Sequence, residues 1–132
     1  MRQILIWAAV ILTFLDAALH LRRSLVPDGN PFGSSLHEQF LLYSLVAVVL
    51  ALGLLAAPSW LGQRAWIMSA ALIVWQLGAI GVWFAMYHAP NPPGVVPDEG
   101  YVSKAIELLI IILLIPTLFM PAPRSRRVLT SA

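Results

Sequence analysis

Residues 40–57 read FLLYSLVAVVLALGLLAA, a stretch with no charged side chain anywhere in it. A helix rising about 1.5 Å per residue covers about 27 Å over this stretch, close to the roughly 30 Å of a bilayer's hydrocarbon core. The stretch therefore predicts a membrane-crossing helix, and the neighbouring sequence repeats the pattern. Upstream, Ile4 to Leu21 is apolar except for Asp16 and His20. Downstream, Ala65 to Tyr87 is uncharged. The last candidate is less regular. Its uncharged run, Leu108 to Met120, gives only about 20 Å of helix. To cross, it must reach back toward Tyr101, which draws Glu107 and Lys104 into the membrane. The expected fold is all-α: an integral membrane four-helix up-down bundle, with spans at 4–21, 40–57, 65–87 and 101–120. The whole chain, 1–132, is expected to form a single transmembrane domain with a basic tail over 121–132.

Composition agrees. The chain is 60% hydrophobic and 11% charged, where a soluble domain has about 45–50% apolar and about 25% charged residues. That leaves too little polar surface to cover a water-soluble globule. The net charge is +2, but the basic residues stand at helix ends, where they act as topology signals. No basic stripe or motif points to nucleic acid. Cysteine is absent, which removes disulfides, thiolate catalysis, iron–sulfur clusters and thiolate zinc sites. Arg2 ahead of an apolar run resembles a signal peptide. Asp16 and His20 interrupt the run where a cleavage region would lie, so the segment is expected to stay as a span.

The connections set the direction. Residues 27–31, Pro-Asp-Gly-Asn-Pro, make a strong turn signal between the first two spans. A short link, Pro58 to Arg64, makes the second and third spans antiparallel neighbours. His88 to Ser103 carries Pro90, Pro92, Pro93 and Pro97, a run that favours extended backbone. Pro121 and Pro123 are expected to stop the last helix. Arg2, Arg64, Arg124, Arg126 and Arg127 fall on the side of the termini, against Arg22, Arg23 and Lys104 on the other. The excess places both termini in the cytoplasm. The expected location is the plasma (inner) membrane of a bacterium, as a multi-pass protein. No internal repeat is visible.

Position along each span converts to depth. Counted from the termini side, Asp16 lies about 18 Å up, Ser44 and Glu107 about 20 Å, Gln76 about 15 Å and His20 about 24 Å. Two carboxylates from different helices thus share a layer, and His37 and His88 fall above it. Ionisable groups at that depth face a bundle interior or a wet cavity, because lipid exposure costs several kcal/mol. Thr13, Asp16 and His20 share one helix face, with Ala9 below. Three further heptad stripes appear: His37, Ser44 and Ala51; Ala71, Gly78 and Ala85; and Ser69, Gln76 and Trp83. The small-residue stripes would allow close helix approach. Trp60, Trp66, Trp83, Tyr87 and Tyr101 are placed as interfacial aromatics.

Three chemistries suit these residues. Asp16, His20 and Glu107 form a ligand set for a divalent metal such as zinc, iron or manganese, with His37 or His88 completing it from above. The bland counterpart is an ion-pair layer in which Asp16 pairs with Lys104, and Glu107 with protonated His20 or Lys104. Haem b held between His20 and His88 is the second reading. Proton handling by paired carboxylates under a histidine is the third. Met86 near His88 reads as packing before copper ligation. Hydrolytic catalysis has no motif to support it. The sequence favours an accessory or interaction subunit of a membrane complex, associating with lipid and a partner subunit or with a second copy. A stand-alone metal, haem or proton site is the alternative.

Overall fold

The computed structural model describes residues 1–25, 35–87 and 98–121, the side chains of residues 35–37, 86, 87, 98 and 99 excepted. These residues are helical almost throughout. The elements are α1 (Arg2–Ser24), α2 (Ser35–Trp60), a single 3-10 turn (Gly62–Ala65), α3 (Trp66–Tyr87) and α4 (Asp98–Phe119). All four helices are long and apolar enough to cross a membrane.

The helices outrun the apolar spans. α1 continues through Arg22 and Arg23, and α4 begins at Asp98, so the fourth span has the upstream turns that its short apolar run required. The link expected at Pro58 to Arg64 is tighter than its sequence suggests. Pro58 belongs to α2. Proline keeps a helical φ and removes only its own N–H bond, a small loss in a last turn. Leu61 N–H closes that turn on Ala57 O at 2.8 Å. The reversal falls on Gly62, whose φ of 54° lies in the left-handed region that suits glycine. α4 ends at Phe119, just ahead of Pro121.

Each helix packs on two neighbours around a square. α1 contacts α2 and α4, α3 contacts the same two, and α1 faces α3 across the diagonal. The half of the bundle nearer the chain termini has an apolar centre made of Ile6, Val10, Ala51, Leu54, Leu72, Ile110 and Leu114. The other half, toward the two long loops, holds a small cluster of Ala17, Tyr43 and Ala47 and a set of polar side chains. The outer surface is apolar: Ile11, Leu45, Val49, Leu77 and Ile112 are each more than half exposed. Inside, Thr13, Asp16, Ser69, Gln76, Glu107 and Thr117 are wholly buried. Water would be a poor solvent for that surface; lipid is a good one.

Of the two stripes read on α3, only one faces inward. On α3, Ser69, Gln76 and Trp83 face inward, while Gly78 and Ala85 are exposed. A Cβ at Gly78 would meet nothing within 4 Å. The polar stripe wins the interior because its amide and hydroxyl find partners there, whereas glycine and alanine lose little by facing out. On α2, Gly53 makes room for the Met68 side chain of α3, whose Cε would lie 2.6 Å from an added Cβ. Trp83 is buried and meets Tyr101 edge to face at 5.4 Å. Trp60, Trp66 and Tyr101 are exposed as expected.

Candidate functional site

α1 brings Asp16 and His20 one turn apart on its inward face, and α4 brings Ser103, Lys104 and Glu107 toward them. One ligating atom each from Asp16, His20 and Glu107 lies within 4.8 Å of the others. The matching depths read along the sequence therefore correspond to real proximity. The side chain of His37, and His88 altogether, lie outside the described residues, so their place in the ligand set stays as the sequence left it.

Each member of the group is held differently. Asp16 accepts at both oxygens, from Ser103 Oγ at 2.7 Å on Oδ1 and from Tyr43 OH at 2.6 Å on Oδ2. Glu107 is wholly buried; its Oε1 pairs with Lys104 and its Oε2 has no partner. The Ser103 hydroxyl is closer to Asp16 than to Glu107 Oε1, which is 3.3 Å away. With one proton to give, Ser103 serves Asp16.

His20 places Nδ1 2.9 Å from the Asp16 backbone oxygen. A carbonyl only accepts, so Nδ1 carries the proton and donates it there. In the neutral ring the lone pair is then on Nε2, 3.9 Å from Glu107 Oε1. This is the pattern by which histidines that bind a metal through one nitrogen are oriented through the other. The ring is clamped by stacking on Tyr43 at 4.0 Å and by an edge contact with Phe40 at 5.6 Å. A haem iron on Nε2 would need the Glu107 carboxyl to vacate that side, and the ring faces already lie against aromatic neighbours.

Tyr43 joins the group to α3. Its hydroxyl lies 2.6 Å from Asp16 Oδ2 and 2.5 Å from Gln76 Oε1. One hydroxyl proton cannot satisfy two oxygens. Gln76 Nε2 meanwhile is buried without a partner. Exchanging the two amide positions lets Nε2 donate to the Tyr43 oxygen while Tyr43 donates to the carboxylate.

The ion pair forms within α4, between Lys104 and Glu107. Asp16, the other carboxylate considered for Lys104, is held by neutral hydroxyls instead. Tyr43 and Ser103 are the members that sequence reading missed. Tyr43 had a usable signal, since a tyrosine deep inside an apolar span needs a partner for its hydroxyl. Ser103 looked like a loop residue because the proline-rich segment obscured the start of α4. The group of Asp16, His20 and Glu107 is therefore assembled from α1 and α4, hydrogen-bonded from α2 and α4, and backed by α3. No protein-family model, no curated protein and no solved structure matches this chain, so the chemistry of the group rests on its own geometry.

Proposed function

We propose that this chain is a four-pass protein of the plasma membrane, with both termini in the cytoplasm, that holds a divalent metal ion in the outer half of its bundle. The observation that carries this reading is the convergence of Asp16, His20 and Glu107, in which the second oxygen of Glu107, Oε2, is buried and has no partner. Two carboxylates and an imidazole nitrogen suit zinc, iron or manganese. His20 has its nitrogen roles sorted, and Asp16 is oriented by Ser103 and Tyr43, as ligands commonly are by outer partners. Metal bonds of about 2.0–2.2 Å put two ligands at most about 4.4 Å apart, so the group must close slightly on binding. Three protein ligands would leave positions for water.

The test is elemental analysis, with an optical spectrum, on protein purified in detergent without chelator and given Zn²⁺. Stoichiometric metal that is lost in Asp16→Asn and in Glu107→Gln is the expected result. A clean negative in the wild-type chain would reduce the group to an ion-pair layer and return the accessory-subunit expectation to the front. That expectation also has its own signature: both variants would fold and bind partners nearly as the parent does.

A further inference from the structure

The group already contains a cation. Lys104 lies against Glu107 Oε1, the carboxylate oxygen nearest His20 Nε2. We infer that Lys104 is a tethered competitor for the metal position, occupying it in the free protein and swinging toward the loop end when a divalent ion binds. This rests on the metal reading of the site and adds how occupancy is controlled.

Charge decides the exchange. Asp16 and Glu107 as carboxylates can balance one divalent ion. A lysine ammonium kept beside the same oxygen would then be a buried surplus charge, which a low-dielectric interior penalises heavily. Space points the same way. The three ligating atoms stand up to 4.8 Å apart, wider than a bound ion allows, and an ammonium seated on Glu107 keeps the carboxylate engaged elsewhere.

Lys104 is also the most flexible and the most exposed of these four side chains, a little ahead of His20 at 10%. Glu107 and Asp16 are wholly buried, while the Lys104 side chain is 13% exposed. It stands six residues into α4, about 9 Å from the helix start at the loop end. A flexible four-carbon stem lets the ammonium extend to the headgroups while the stem stays on apolar surface. The Lys104 head then trades a carboxylate for water and lipid phosphate, and the metal takes its place.

The experiment is calorimetric titration of Zn²⁺ into the detergent-solubilised full chain, comparing wild type with Lys104→Gln and Lys104→Arg. Removing the competitor should tighten binding about tenfold or more. Arginine, held on a carboxylate at two points, should weaken it. Binding seen only in Lys104→Gln would also support the proposal, since it means that the tether out-competes the ion at the concentrations used. Tight binding must vanish in Lys104→Gln/Glu107→Gln; if it persists, the ion sits elsewhere and the proposal falls. Equal affinities in wild type, Lys104→Gln and Lys104→Arg would overturn the tether and leave the metal site standing. No binding in any chain would remove the metal site itself. Should Lys104→Gln fail to fold, Lys104→Arg keeps the ion pair, and affinity equal to or tighter than wild type in that variant refutes the proposal.

Discussion

Replacing Tyr43 with Phe removes one oxygen and keeps the ring that stacks on His20 at 4.0 Å and on Trp75 at 5.7 Å. The loss is therefore confined to the hydroxyl that lies between Asp16 and Gln76. In soluble proteins a hydrogen bond to a charged group contributes about 1.5–3 kcal/mol. Between helices in a bilayer the mean is about 0.6 and the maximum about 1.7 kcal/mol, because the unfolded chain finds other partners there. Tyr43 belongs at the top of the membrane range. It serves two groups at once, and both Asp16 and Gln76 are wholly buried, so no solvent replaces it. The expected cost is about 1.7 kcal/mol, somewhat more than tenfold in the unfolding equilibrium. Reversible unfolding in mixed micelles with rising dodecyl sulfate, followed by helical circular dichroism, measures it. Gln76→Leu and the double variant complete a cycle, and the two single changes should be strongly non-additive. A Tyr43→Phe loss within about 0.5 kcal/mol, the scale of an ordinary surface change, would refute the bridging role. So would simple additivity in the cycle.

Three further outcomes follow from the packing, each read by the same unfolding assay. Gly62→Ala should cost about 1–2 kcal/mol from backbone strain alone, since φ is 54° and nothing stands within 4 Å of the new methyl; a neutral result would mean that the turn has another conformation. Gly78→Ala should be neutral or stabilising by up to about 1 kcal/mol, because the position is open; a clear loss would mean that this stripe packs against something. Leu54→Ala removes a side chain only 1% exposed and should cost about 2–5 kcal/mol with Zn²⁺ affinity unchanged, because it lies in the apolar half, away from the carboxylates.

Much of this was legible in the sequence. Charge-free runs long enough to cross a bilayer specify four helices, and a short second link makes antiparallel neighbours of the middle pair. Depth counting placed Asp16 and Glu107 in one layer, with His20 one turn above, because a helix converts residue number into height at a fixed rate. Height is only one coordinate. Which way a span is turned about its axis depends on partners that one span cannot reveal, and that is why the Gly78 and Gln76 stripes of α3 were equally plausible as interior faces. Tyr43 was passed over for a related reason: it lies within the stretch whose lack of charge decides the fold, and the apolar reading absorbed it. Ser103 fell where the proline-rich connection, read to Ser103, overlaps the fourth span, read from Tyr101, so nothing marked it as a partner for Asp16.

The distribution of polar groups bears on whether the site holds an ion or conducts one. Below Gln76 the next inward polar side chain on α3 is Ser69, hydrogen-bonded to Thr117 of α4 at 2.8 Å. Seven residues separate Gln76 from Ser69, about 10 Å of helix. That interval is filled by Leu72 together with Val10, Leu54 and Ile110, each no more than 2% exposed. An ion leaving the carboxylates inward would have to shed its ligands in this layer, and isolated charges in such surroundings cost far more than a folded chain's net stability. Toward the loops the path is different, because Lys104 already reaches from Glu107 to partly exposed surface. If the group holds a metal ion as proposed, the packing supports exchange with one side only. On the metal reading, rates of loading should depend on which face of a sealed vesicle sees Zn²⁺, with the loop face fast and the termini face slow. Equal loading from both faces of oriented vesicles would contradict the apolar plug and call for a second route through the bundle.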